Sequence, residues 1–161
     1  MLIRTANLND AASICQIYNY YIEHTVITFE EDAVSVESYR NRLARILQKY
    51  PFLVCEEAGE ITGFAYANTW QSRSAYRYTA ETTIYLEKNS LGKGTGTALY
   101  SALIEKLRES DLHSLIAGIA LPNQASVILN EKLGFKKVAH YNQVGQKFNT
   151  WIDVGYWQLT L

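Results

Sequence analysis

Apolar residues recur at helical spacing in two early segments of the chain. They run from Ile14 to Ile22 and from Tyr39 to Tyr50, which predicts two helices, with Ser35 capping the second. Alternating or β-branched patterns predict short strands around these helices, at residues 2–5, 52–56 and 61–69. The first half of the chain is therefore expected to mix helices with sheet strands.

The central stretch, residues 79–103, reads as a strand, a polar break, a glycine-rich turn and a helix. β-Branched, aromatic and aliphatic residues alternate over residues 82–86, which is typical of a largely buried strand. Gly92, Gly94 and Gly96 follow this strand. Apolar residues then return at helical spacing. Free amides at a helix N-terminus bind phosphate, so this stretch predicts a phosphate-bearing ligand.

The remaining pattern predicts a strand at 114–120, a helix at 124–133 that ends at Gly134, and two strands at 135–141 and 152–159 separated by a loop. No repeat, linker or low-complexity segment interrupts this order. We expect one α/β domain over residues 1–161, built on a mixed sheet.

Composition and charge narrow the possible partners. The chain is 48% hydrophobic and 19% charged, with a net charge of -1, so it has no basic field for nucleic acid. Cys15 and Cys55 lie in apolar patterns without metal-site spacing and are expected to be reduced. No apolar run resembles a signal peptide or approaches the roughly 18 residues of a membrane span, which predicts a cytoplasmic protein with no membrane partner.

The spacing of the glycines excludes two nucleotide motifs. A P-loop needs Gly-Lys followed by Ser or Thr, whereas Gly92 and Lys93 precede Gly94, so nothing is placed for magnesium. A dinucleotide site needs G-x-G-x-x-G near the start of the chain and an acidic residue after the next strand, and neither is present. No metal is expected.

The order of elements resembles the GCN5-related N-acetyltransferase superfamily over essentially the whole chain. Within it, several blocks are similar to phosphinothricin and methionine-sulfoximine acetyltransferases, among them IYNYYIEHTVITFE, AYRYTAETTIYL and ALPNQASVILNEKLGF. The resemblance implies a mostly antiparallel sheet of about six to seven strands with about four helices. It also implies acetyl-CoA as co-substrate, a small amino-acid-like acceptor and a homodimer.

The expected cofactor contacts lie in three places. They are the strand amides, the glycine turn and the last helix: Ile84, Tyr85, Leu86, Gly92, Lys93, Gly94, Thr95, Gly96, Thr97, Asn123 and Asn130. Leu91 departs from the family pattern, which has Arg or Gln there. Asn130 stands where many members have Tyr, and an amide is no general acid at neutral pH. The source of the thiolate's proton therefore stays open.

Acetyl transfer to an amine requires a base, and Glu81 is the lone carboxylate in an otherwise uncharged strand. The resemblance also assigns the base to this glutamate. The alternative is that Glu81 only pairs with Arg73 or Arg77. His140 has no evident carboxylate partner in the sequence, which disfavours a histidine-based mechanism.

For the acceptor, the resemblance places Phe29, Arg73 and Tyr76 around the amino acid, and the same expectation covers Thr82 and Thr83. An arginine suits an α-carboxylate because it pairs with it bidentately. A late loop that includes Lys147 is expected to help close the pocket.

Two other functions compete with an amino-acid acetyltransferase. The acceptor could instead be a protein N-terminus, a lysine or an aminoglycoside, although a cationic aminoglycoside fits poorly beside Arg73. A non-catalytic acyl-CoA sensor is the alternative from another class, motivated by Leu91 and Asn130.

Overall fold

The computed structural model describes residues 1–161 and contains four α-helices and seven strands. The helices are α1 (Ala11–His24), α2 (Val36–Leu47), α3 (Thr95–Arg108) and α4 (Gln124–Lys132). The strands are β1 (Leu2–Thr5), β2 (Phe52–Glu57), β3 (Glu60–Thr69), β4 (Thr79–Leu86), β5 (Ser114–Leu121), β6 (Lys136–Lys147) and β7 (Thr150–Thr160).

The strands form one mixed sheet in the order β1-β2-β3-β4-β5-β7-β6. The pairs β1–β2, β2–β3, β5–β7 and β6–β7 are antiparallel, whereas β4–β5 is parallel. The predicted class, a mostly antiparallel mixed sheet with four helices, is confirmed.

Contacts divide the chain into two compact units. The first comprises residues 1–18, 34–68 and 82–111, and the second comprises residues 19–33, 69–81 and 112–161. The expectation of a single domain over residues 1–161 stays a prediction.

The first unit is held by an aromatic and aliphatic core. Phe64 stacks on Phe52 with 5.7 Å between ring centroids, and Tyr39 meets Phe64 edge-on. The β2–β3 turn is formed by Ala58 and Gly59, both at positive φ, as a tight hairpin turn requires. Both the predicted hairpin and the Ser35 cap, whose hydroxyl accepts from the amide of Ser38, are confirmed.

The second unit contains the β5–β7–β6 arrangement, and here the predicted strand boundaries are wrong. β6 extends through most of the expected loop to Lys147, and the turn to β7 is only Phe148 and Asn149. Both residues have positive φ, near 50° and 58°, as in a two-residue hairpin turn. Gly145, within the predicted loop, lies inside the strand.

No helix of the chain is both long enough and apolar enough to cross a membrane.

Candidate active site

The glycine turn has the backbone geometry that the sequence predicts. Gly92 and Gly94 have φ of 76° and 85°, a region that residues with a Cβ rarely adopt. Gly94 caps α3, whose first helical hydrogen bond is donated by Ala98 to the Gly94 carbonyl at 3.1 Å. The amides at the start of α3 thus lack intrahelical acceptors, and the helix dipole adds positive potential there.

The side chains of this turn differ in their exposure. Leu91 is 52% exposed and Lys93 is exposed as well, whereas Thr95 and Gly96 are buried in the first turn of α3. Thr97 is half-buried. The turn therefore offers backbone donors with one cation beside them, and the apolar side chain of Leu91 lies in solvent.

The three residues of β4 that are predicted to contact the cofactor are Ile84, Tyr85 and Leu86, which differ in burial. Tyr85 is 9% exposed, and its ring packs edge-on against Tyr18 at 5.2 Å. Ile84 and Leu86 are half-buried. Their proposed contacts with a thioester stay predictions.

Thr82 and Thr83 lie on opposite faces of β4. Thr82 is 4% exposed, and its hydroxyl shares a 2.6 Å hydrogen bond with the hydroxyl of Tyr100 in α3. Thr83 is half-buried. Burial of Thr82 assigns its side chain a packing role, and the acceptor contact predicted for both residues stays untested.

Two asparagines bracket α4. The side-chain oxygen of Asn123 accepts a hydrogen bond from the amide of Ser126 at 3.2 Å and so caps the helix. Asn130 is 2% exposed, and its side-chain amide donates to the Ser126 carbonyl at 2.9 Å. Both residues therefore have structural roles in α4, besides the cofactor contacts that remain predicted.

Glu81 lies where the parallel ladder between β4 and β5 ends. That ladder covers three residue pairs, the last of which joins Glu81 to Ile116. Burial raises the pKa of the Glu81 carboxyl above its usual range, and no cation or hydrogen-bond donor of the protein opposes this shift. A half-buried carboxylate with a raised pKa is suited to accept a proton.

Gly118 and Tyr156 lie beside this carboxylate, and two further aromatic residues pack against Tyr156. A Cβ atom on Gly118 would lie 3.5 Å from Oε1 of Glu81 and 3.0 Å from Cε1 of Tyr156. Trp70 and Tyr141 both meet the Tyr156 ring edge-on, with centroids 5.4 and 5.5 Å away. Burial and then the charge of Glu81 raise the pKa of the Tyr156 phenol. The carboxylate of Glu81 thus lies beside a cluster of three aromatic residues that is centred on Tyr156.

Neither arginine pairs with Glu81. The guanidinium of Arg77 donates to the Ser74 carbonyl at 3.1 Å and to the Tyr78 hydroxyl at 3.0 Å, and it stacks over the Tyr78 ring. Arg73 is exposed, immediately before a short 3-10 turn, Ser74–Tyr76. The alternative that Glu81 only pairs with Arg73 or Arg77 is therefore not observed.

Arg73, Tyr76 and Phe29, the residues predicted to contact the acceptor, all present accessible side chains. Tyr76 is 43% exposed and Phe29 is 42% exposed. Lys147, in contrast, is not a loop residue as expected from the sequence, because it ends β6 with a side chain that is 2% exposed.

The expectation that His140 lacks a carboxylate partner is wrong. Nε2 of His140 lies 2.8 Å from Oδ2 of Asp153, and Lys137 contacts the other ring nitrogen at 2.9 Å. Asp153 also accepts from the amide of Gln143, and these hydrogen bonds lower the pKa of its carboxyl. The cluster fastens β6 to β7.

Sequence reasoning missed Gly118, Tyr156, Trp70 and Tyr141. Their proximity to Glu81 follows from the register of the sheet. Glu81 pairs with Ile116 of β5, and Gly118, two residues further along β5, pairs with Tyr156 of β7. Residues separated by two on one strand share a face.

Comparison with known proteins identifies a family and several relatives. Residues 3–155 match the family described as an acetyltransferase (GNAT) domain. The chain is 41% identical over 165 residues to L-methionine sulfoximine/L-methionine sulfone acetyltransferase of Salmonella typhimurium, covering 100% of this chain and 95% of that protein. It is 36% identical over 156 residues to phosphinothricin N-acetyltransferase of Streptomyces viridochromogenes, covering 97% and 85%.

A solved structure shares the fold over the whole chain. It is an acetyltransferase from Salmonella typhimurium with its cofactor acetyl-CoA, 40% identical, with a TM-score of 0.96 and coverage of 100% of this chain and 94% of that chain.

Proposed function

This chain belongs to the acetyltransferase (GNAT) family, and we propose that it moves the acetyl group of acetyl-CoA to the α-amine of a small amino-acid analogue. The acceptor class is that of its relatives, methionine sulfoximine, methionine sulfone or phosphinothricin. The observation that carries the proposal is Glu81, an unpaired carboxylate whose pKa is raised by burial.

The glycine turn fits the pyrophosphate of acetyl-CoA. Gly92 and Gly94 hold left-handed backbone, and a Cβ atom at either position would meet no neighbouring atom within 4 Å. The space around both glycines is therefore open to a ligand, and the amides at the N-terminus of α3 supply donors. When bound, acetyl-CoA supplies the acetyl group as a thioester.

On the protein side, Glu81 removes a proton from the α-ammonium of the acceptor. An amino acid arrives protonated at neutral pH, and only the free amine attacks a carbonyl. A raised pKa makes Glu81 a stronger base than an exposed glutamate, because it brings the pKa of the carboxyl closer to that of the acceptor ammonium.

Arg73 is the proposed anchor for the α-carboxylate of the acceptor. Its guanidinium is exposed and forms no ion pair within the protein. Bidentate pairing with a carboxylate would fix the amino acid by its backbone groups. Phe29 and Tyr76 are proposed to contact the acceptor beside this anchor.

The test is a spectrophotometric assay of CoA release against a panel of acceptors. We expect turnover with methionine sulfone, methionine sulfoximine and phosphinothricin, and much less with an aminoglycoside, a lysine peptide or a peptide N-terminus. Preference for one of the last three would overturn the acceptor class. Binding of acetyl-CoA without release in any mixture would favour the sensor alternative.

We also propose that the protein is a homodimer that works in the cytoplasm. Five exposed hydrophobic side chains lie along the β6–β7 hairpin: Val138, Tyr141, Val144, Phe148 and Trp151. Exposed apolar side chains gathered on one hairpin support an interface between copies. Both cysteines are buried and free, as expected for a reducing compartment. Sedimentation tests the dimer, and a monomer at assay concentration would overturn it.

A further inference from the structure

Residues 25–33 follow α1 without regular secondary structure, and they include Phe29. Two contacts with the last three residues of β6 hold this segment, although more than 110 positions separate them in the chain. One contact fixes its backbone and the other fixes the Phe29 ring.

The backbone contact is made by Lys147. Its ammonium donates a 2.9 Å hydrogen bond to the carbonyl of Thr28, and it lies 5.2 Å from the centroid of the Phe148 ring. Burial lowers the pKa of Lys147, while the charges of Glu30 and Glu31 act in the opposite direction. A covered ammonium is costly unless it has partners, and these groups supply them.

The ring contact is made possible by Gly145. A Cβ atom there would lie 2.6 Å from Cζ and 2.8 Å from Cδ2 of Phe29, so only glycine allows the ring to lie on the strand. Phe29 nevertheless keeps 42% of its surface exposed. The ring is thus supported on one side and accessible on the other.

Gly145 and Lys147 are two positions apart on one strand and therefore share a face. One accommodates the ring of Phe29, and the other holds the carbonyl of the residue before it. We propose that Lys147 is a positioning residue that, together with Gly145, fixes Phe29 for contact with the acceptor. The contact with the acceptor rests on the proposed function, whereas the fixing of the segment does not.

Hydrogen–deuterium exchange tests the fixing without reference to activity. Lys147→Met preserves an unbranched chain but removes the donor, and Lys136→Met is the matched control, because Lys136 is an exposed lysine of the same strand. We expect exchange of residues 25–33 to accelerate about tenfold in Lys147→Met only. Unchanged exchange would overturn the proposal.

Kinetics then test the link to the acceptor. We expect Lys147→Met to raise the KM for methionine sulfone about tenfold, with the KM for acetyl-CoA and the kcat changed less than about twofold. Because Lys147 acts through Phe29, the double variant Lys147→Met/Phe29→Ala should have nearly the same acceptor KM as Phe29→Ala alone. Fully additive effects would overturn the positioning role.

Gly145→Ala provides an independent variant that keeps the lysine. Its added methyl group displaces the Phe29 ring, so the same rise in acceptor KM is expected even if Lys147→Met fails to fold. A normal acceptor KM in a folded Gly145→Ala protein would contradict the proposal. If the wild-type enzyme acetylates none of the acceptors, the proposed function fails, and the exchange experiment alone decides the fixing of the segment.

Discussion

Oε1 of Glu81 lies 3.5 Å from the point that a Cβ atom on Gly118 would occupy. The missing side chain at Gly118 thus leaves room beside the carboxylate, and the proposed mechanism requires the amine to approach there. Any larger residue would compete for that room with both Glu81 and Tyr156.

Gly118→Ala should therefore impair catalysis more than folding. The added methyl group would lie 3.0 Å from the Tyr156 ring and would intrude on the space beside Glu81. We expect kcat/KM for the acceptor to fall about tenfold or more, while the Kd for acetyl-CoA is unchanged. Steady-state kinetics and calorimetric titration measure the two effects. A large loss of Tm with intact kinetics would contradict this prediction.

Glu81→Gln should lower kcat about 10²- to 10⁴-fold and leave acetyl-CoA binding intact, because the amide cannot accept the proton. Wild-type kcat/KM should rise with pH through an acidic limb that reports the raised pKa of Glu81, since only the ionised form is a base. Glu60→Gln, at an exposed position, is the control. The same acidic limb in both variants would remove Glu81 from the mechanism.

Glu81→Gln should also stabilise the fold at neutral pH. The folded-state pKa of Glu81 is raised, so at pH values below its unfolded-state pKa both states carry the proton and the carboxyl costs nothing. As pH rises from the unfolded to the folded pKa, the unfolded state ionises first and stability falls. Glu81→Gln should therefore have the higher Tm at pH 7 and an equal Tm near pH 3. Thermal unfolding across this range measures the difference.

Much of the central stretch could be predicted because its signals are local. The order of strand, glycine turn and helix depends on residues close in sequence, and α3 follows the turn as expected, although Gly96 lies inside the helix. The β6–β7 turn was missed because Phe148 at positive φ carries no sequence signal. The role of Gly145 has no sequence signal either, since it depends on Phe29, which is 116 residues away in the chain.

The candidate site was predicted to a similar extent. Glu81 stands out as a lone carboxylate in its strand, but its neighbours Gly118 and Tyr156 reach it only through the sheet register. The pairs His140–Asp153 and Lys147–Thr28 likewise depend on how strands and loops pack. Such tertiary contacts have no periodicity that one sequence reveals.

Thr82→Val tests whether Thr82 serves packing or the acceptor. Its hydroxyl shares a buried hydrogen bond with Tyr100, so Thr82→Val and Tyr100→Phe should each lower stability by about 1 kcal/mol. Denaturant unfolding measures this loss. We expect an unchanged acceptor KM in both variants, and a rise in Thr82→Val alone would support the contact predicted from the sequence.

Leu91→Arg should strengthen cofactor binding. Leu91 is 52% exposed and directly precedes Gly92, so a cation there would add attraction for phosphate without disturbing the core. The Kd for acetyl-CoA should fall about 3- to 10-fold, and the gain should shrink at high salt. Leu8→Arg, at another exposed leucine, adds the same charge elsewhere. Equal gains in both variants would show a non-specific charge effect.

Burial of Glu81 also has a consequence for repeated turnover. In the proposed mechanism each cycle leaves the proton of the amine on a carboxyl whose pKa is raised by burial, so Glu81 must lose that proton before it can accept another. Regeneration therefore depends on transfer of that proton to solvent. At saturating substrate this recovery step would make the rate sensitive to buffer concentration and to heavy water.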